Sequence, residues 1–154
     1  MALPLYAKTW EVVESMQVAF NTYWLAQPIV TVLTWDNTPL DVVKYPPTIT
    51  SSDAAVSGEA YGLVQIQHAD GQIAALGTRR FRQVGVMSAA FFVQNALGRL
   101  RTAGKIADQA LAFFQTQNVA GVTFRNPRLQ EVGADGRWWQ VNVLADFQYD
   151  ILRS

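Results

Sequence analysis

Trp139, Val141, Val143, Ala145, Phe147, Tyr149 and Ile151 alternate without interruption with Gln140, Asn142, Leu144, Asp146, Gln148 and Asp150. Successive side chains of a strand point to opposite faces, so this stretch has one wholly apolar face and one almost wholly polar face. Gly133-Ala134-Asp135-Gly136 stands just upstream, with the Gly and Asp chemistry of a tight turn, and Val122 to Val132 precedes it. The spacing predicts a long closing antiparallel hairpin, one side on a core and the other turned to water or to a partner. A chain that ends this way must supply helices or a second sheet for the apolar side.

The segments upstream supply two helices. Thr9 is placed to cap a helix beginning at Trp10, with Trp10, Val13, Met16, Phe20, Tyr23 and Trp24 as its apolar stripe and Glu11 and Glu14 near its positive end. Pro28 bars its continuation, and Ile29 to Trp35 is β-branched and strand-like. Asp36 to Gly58, with Pro39, Pro46 and Pro47, has little periodicity and is expected to be a long loop. Ala60 to His68 reads as a second strand turning at Asp70-Gly71, and Arg79 to Val93 as a third, in which Gly85 marks a bulge or a close backbone approach. A second helix is expected from about Leu97 to Thr116, with Leu100, Ala103, Ile106, Ala107, Ala110, Phe113 and Phe114 on its contact side. The order α-β-loop-β-β-α-β-β describes a single α+β domain over 1–154, a mostly antiparallel sheet of about five strands with two helices packed on one face.

Composition removes several classes of function. A chain of 154 residues buries roughly 68–70% of the surface that its unfolded form exposes. With half of its residues hydrophobic and 16% charged, it is not a disordered chain. Twelve basic and twelve acidic residues cancel, so no general attraction to nucleic acid or to an anionic membrane follows. There is no cysteine, hence no disulfide, thiolate metal site or thiol nucleophile. Met1 to Tyr6 lacks the charged and apolar regions of a signal peptide, and no apolar run is long enough to span a bilayer, so a soluble cytoplasmic product is expected. The aromatic mass, five Trp, five Tyr and eight Phe, suits either an aromatic core or an interface.

Catalytic equipment is sparse. His68, the sole histidine, lies with Asp70 near a turn, and two ligands without a third make a poor metal site. No Gly-x-Ser-x-Gly elbow accompanies it. Asp146 and Asp150 sit among glutamines on a strand face, which reads as a solvated or interfacial surface rather than an acid–base pair. Gly98 to Lys105 lacks the phosphate-loop spacing. Arg79-Arg80-Phe81-Arg82 is the densest basic patch; on a neutral domain it is expected to serve as a strand end or as salt bridges to a neighbour, not as a nucleic-acid site. No catalytic residue, cofactor or metal is therefore expected.

With these segments placed, the chain resembles the bacteriophage tail terminator, or tail completion, proteins. The resemblance runs through the opening helix to Pro28-Ile29-Val30, Trp35-Asp36-Asn37-Thr38-Pro39-Leu40, then Ala75-Leu76-Gly77 into Arg79-Arg80. Its most specific block begins at Gly121-Val122-Thr123-Phe124-Arg125-Asn126-Pro127, continues through Glu131-Val132-Gly133 and Asp135-Gly136-Arg137-Trp138-Trp139-Gln140, and ends at Phe147-Gln148-Tyr149-Asp150. Between the third strand and the second helix the family pattern has a Pro- and Gly-containing linker, where this chain has Gln94-Asn95-Ala96-Leu97-Gly98. The resemblance implies a virion structural protein, not an enzyme, assembled in the host cytoplasm and resident at the neck end of the tail. It implies a ring, commonly a hexamer, that caps the tail tube, stops its polymerisation and offers a surface to the head-tail connector. A head completion or neck protein, and a small enzyme or ligand-binding domain, are the alternatives. In a ring, the polar hairpin face, Trp138, Gln140, Asn142, Leu144, Asp146 and Gln148, is the expected interface, with Arg79, Arg80 and Arg82 pairing to carboxylates across it.

Overall fold

A computed structural model describes residues 6, 8–35, 47–52, 56, 58–69, 72–75, 80–94 and 99–152. The expected turn at Asp70-Gly71, the helix start at Leu97, and residues 36–46 of the expected loop lie outside them. The architecture is the expected α+β domain. Helix α1 (Thr9–Leu25) and helix α2 (Arg99–Thr116) cover one face of a sheet. Its strands β2 (Val32–Trp35), β4 (Ala60–His68), β6 (Arg80–Gln94), β8 (Trp138–Leu152) and β7 (Val122–Asp135) lie side by side in that order. All of these neighbours are antiparallel except β2 and β4, which are parallel.

Three short strands escape the sequence pattern. Strand β5 (Gln72–Ala75) pairs with the start of β6, and β1 (Ile29–Val30) pairs with β3 (Thr50–Ser51) in a separate ribbon. The single strand expected over Ile29 to Trp35 is thus two, divided at Thr31, where the chain passes from the ribbon to the main sheet. Thr31 is buried, and its hydroxyl accepts a hydrogen bond from Trp24 Nε1 at 3.2 Å, which holds this crossing against α1. Nor are the described parts of the expected loop a free excursion, since Ile49 and Val56 are buried in the core.

The stripe of α1 is rotated from the expected one. Val12, Met16, Phe20 and Trp24 are fully buried, whereas Val13 is half-buried and Trp10 is 59% exposed. Four residues advance a helix by slightly more than one turn, so this i, i+4 series stays on one face while Trp10 falls outside it. Lys8, not Thr9, occupies the cap position, and no side-chain bond caps the helix. The alanine-rich side of α2 is as expected: Ala103, Ile106, Ala107, Ala110, Phe113 and Phe114 are all buried, while the side chain of Leu100 lies outside the description. Small residues bring the helix close to the sheet, and the aromatic rings lock it to α1. Phe20 meets Phe113 edge-on at 5.0 Å, and Trp24 stacks on Phe91 of β6 at 5.0 Å. Each such pair adds about 0.5–1.5 kcal/mol to the burial of the rings.

The closing hairpin has the expected register. Val141, Val143, Ala145, Phe147, Tyr149 and Ile151 are buried against the helices; Trp139, at the end of the row, is only half-buried. The turn is Gly136-Arg137, and Gly136 adopts φ 60°. A two-residue connection whose first residue has positive φ matches the twist of the strands it joins. The register of β7 shifts at Asn126-Pro127 and again before Gly133, where φ is 52° at Asn126 and 102° at Gly133. Bulges and a proline on an outermost strand hinder unwanted pairing with another sheet.

Gly85 is a close approach and not a bulge, because the β6–β8 ladder runs through it without a shift and β4 meets it in register at His68. A Cβ there would stand 2.2 Å from the Gln67 carbonyl oxygen and 2.5 Å from Phe147 Cζ. Overpacking costs typically about 1–3 kcal/mol, and a backbone oxygen yields less than a side chain, so Gly85→Ala is expected near the upper end. A urea midpoint equal to that of the parent protein would contradict the pairing of Gly85 with Phe147.

Candidate assembly face

The side of the sheet away from the helices carries the residues that the sequence marks for an interface. Register places them in rows. Tyr61 of β4, Phe92 of β6 and Gln140 of β8 form one; Leu63, Ala90 and Asn142 the next; then Gln65, Ser88 and Leu144; then Gln67, Val86 and Asp146. Apart from the exposed Gln67, these side chains are half-buried by one another, and no described helix lies over them. Chemically the face is graded: aromatic at the end near the hairpin turn, amide and aliphatic in the middle, ionic at the far end.

At the aromatic end, Trp138 meets Tyr61 edge-on with ring centroids 5.2 Å apart, and Tyr61 stacks on Phe92 at 4.8 Å. The Arg137 guanidinium lies 5.1 Å from the Trp138 ring and pairs with Glu59. Trp138 therefore does more than cover its own turn; it ties β8 to β4 across β6 through the Tyr61 ring. Burial raises the Tyr61 hydroxyl above its usual value, so this ring stays neutral and the charge beside it is the paired Arg137. In the middle, Gln140 Nε2 donates to Asn142 Oδ1 at 2.9 Å, and toward the ionic end Asp146 pairs with Arg128 at 3.2 Å.

The basic patch is tied to its own chain as well: Arg80 and Arg82 both bond Asp150, at 2.7 and 3.0 Å, and their side chains stay partly exposed. Facing positions of β6 and β8 bring Arg82 opposite Asp150, and Arg80 lies one step along the same side. Asp150 was expected on a solvated or interfacial face, yet it is buried, since the two long side chains fold over it. Burial disfavours its ionised form, but hydrogen bonds and charge from Arg82 and Arg80 outweigh that and hold its carboxyl below the ordinary value. Arg79 lies outside the described residues.

His68 ends β4 on the helix side, edge-on to Phe147 and Tyr149. Burial lowers its basicity and raises the Tyr149 hydroxyl to about 12, and the Tyr149 hydroxyl shares a hydrogen bond with Nε2 of His68. Both His68 and Asp150 bind protons less readily folded than unfolded, so acid destabilises the fold through each. The His68 contribution is present above its ordinary value of 6.5 and is lost as pH falls below it; that of Asp150 is lost below 3.8. The melting temperature is expected to fall between pH 7.5 and 5, and His68→Gln should flatten that part of the profile. An unchanged slope in the variant would contradict this assignment.

Among the described residues no group of three His, Asp or Glu could hold a metal, and no helix is long and apolar enough to cross a membrane. A wide-mouthed hollow of ≈600 Å³ lies beside α1, with Trp10, Glu11 and Glu14 in its wall. Sequence reasoning missed Tyr61, Phe92 and the role of Asp150. The alternation of Tyr61, Leu63, Gln65 and Gln67 with Gly62, Val64 and Ile66 was a signal for the first, once β4 is set beside β6.

No family model matches the chain, and no curated protein matches it. Twenty-two chains of solved structures match. One is 19% identical with a TM-score of 0.60, covering 92% of this chain and 98% of its own length. At that identity the likeness is one of fold alone.

Proposed function

We propose that the chain is a virion structural protein of the tail terminator kind, which forms a ring on the head-proximal end of the tail tube and stops its growth. The observation that carries this reading is the open outer face of the sheet. Three strands about 4.8 Å apart, followed for about ten residues at ~3.4 Å each, make a plate of roughly 490 Å². A partner in a stable complex contributes about 800 Å², so the plate supplies more than half of one side of such an interface. Its centre is uncharged, its ionic groups are paired at the ends, and its largest ring is already held in place. Those are the properties of an interface core with a polar rim. Among the described residues helices lie on the opposite face alone, which leaves this side for a neighbour.

Termination follows from geometry. A tube lengthens because each ring exposes the surface that receives the next, a heterologous contact that does not close. A ring of a different protein that matches the tube on one side only ends the series. The tail tube protein and the head-tail connector are the proposed partners, with a neighbouring copy of this chain across the outer face. The test is the growth of tube protein followed by light scattering. Added protein at a few copies per tube end is expected to arrest elongation at one end. Undiminished growth, with the ring bound instead to the connector, would assign the chain to head completion.

A further inference from the structure

Two guanidiniums converge on one carboxylate where β6 and β8 meet the start of β7. Arg80 Nε donates to Asp150 Oδ2 at 2.7 Å, while Arg82 donates from Nε to Oδ1 at 3.0 Å and from Nη2 to Oδ2 at 3.4 Å. The Asp150 side chain is 9% exposed, whereas those of Arg80 and Arg82 are 39% and 41% exposed. Among the described residues here, two positive charges against one negative leave one positive charge at the surface. A guanidinium carries five N–H donors. Among the described residues, Arg80 bonds Asp150 through Nε alone, so its terminal N–H groups are not used in this contact.

Beside these groups lies a hollow of ≈110 Å³, walled also by Gly121, Thr123 and Gln148. At about 30 Å³ per water, that is room for three or four small groups, well short of the roughly 300–1,000 Å³ of a cofactor or drug-sized ligand pocket. The Thr123 hydroxyl and the Gln148 amide add polar atoms to a wall that already bears spare charge. A guanidinium fork matches the two oxygens of a carboxylate.

We propose that this hollow is a receptor for a single carboxylate supplied by a neighbouring polypeptide, with Asp150 holding Arg80 and Arg82 in position to receive it. One spare charge on a neutral protein fits one acidic side chain better than a nucleic-acid backbone, which needs a row of cations. The neighbouring chain as source rests on the ring reading; the affinity of the hollow for the group does not.

The first measurement uses the full chain and acetate as the probe. Arginine Nε–H resonances of Arg80 and Arg82 are expected to shift saturably with acetate and not with equal chloride. Arg80→Gln should weaken acetate binding about tenfold, the loss of a charge-assisted bond. Arg80→Lys, which keeps the charge and removes the fork, should also weaken it, and Thr123→Val gives a second variant if Arg80→Gln melts early. No saturable shift, or a shift that chloride reproduces, would overturn the receptor. The second measurement is assembly, where Arg80→Gln is expected to raise the concentration needed for rings. Acetate binding combined with unaltered assembly, or with no assembly by the parent protein, would overturn the neighbour as source while the receptor stands. Tighter binding of single-stranded DNA than of acetate, lost in Arg80→Gln, would overturn the choice of a polypeptide.

Discussion

Phe147→Ala is expected to destabilise the domain by about 3–5 kcal/mol, the usual cost of removing a buried aromatic ring. Total stabilities of such domains are about 5–15 kcal/mol, so much of the protein would be unfolded near body temperature. The ring is 2% exposed and stands where β4, β6 and β8 come together: it fills the space that Gly85 leaves, stacks on Tyr149 at 6.0 Å, and meets His68 edge-on. Few neighbours there can move inward, because two are backbone strands. Urea unfolding followed by tryptophan fluorescence measures the loss. A change below about 1 kcal/mol would show that the buried face of β8 has been assigned to the wrong set of residues.

Trp138→Ala is expected to have the largest effect on assembly. Within one chain the residue is half-buried, with its edge contact to Tyr61 and the Arg137 charge beside its ring. Losing that contact should lower the melting temperature by a few degrees at most, in line with about 0.5–1.5 kcal/mol for an aromatic pair. At an interface, a large ring held in place before binding is the kind of residue that carries 2 kcal/mol or more, about a 30-fold change in dissociation constant. Gln148→Ala, on the same face, should change ring formation far less. Sedimentation velocity across a dilution series reads both variants. Equal ring formation by Trp138→Ala and the parent protein would remove Trp138 from the interface and leave the aromatic cluster a purely intrachain device.

The strongly periodic segments were legible in the sequence: β4 begins and ends where alternation places it, and the buried row from Val141 to Ile151 is the one expected. What was not legible has physical causes. Val12 and Val13 are adjacent and equally apolar, so only packing decides which one faces the sheet. A strand that leaves one sheet for another, as at Thr31, keeps its β-branched composition throughout and shows no break. Two-residue strands such as β1 and β3 exist through their partners rather than their own propensity. The Arg80 and Arg82 pairing depends on a residue some 70 positions away, brought opposite by register. Sequence reading found the polar face of one hairpin strand; the structure adds the neighbouring strands that make it a plate.

The mass and outline of the purified protein, alone and mixed with its tube protein, test the central claim most directly. Native mass spectrometry with negative-stain microscopy is expected, on the proposed function, to show closed rings of several copies and tubes bearing one such ring at a single end. A monomer at micromolar concentration that remains monomeric beside bare tubes of unlimited length would contradict it.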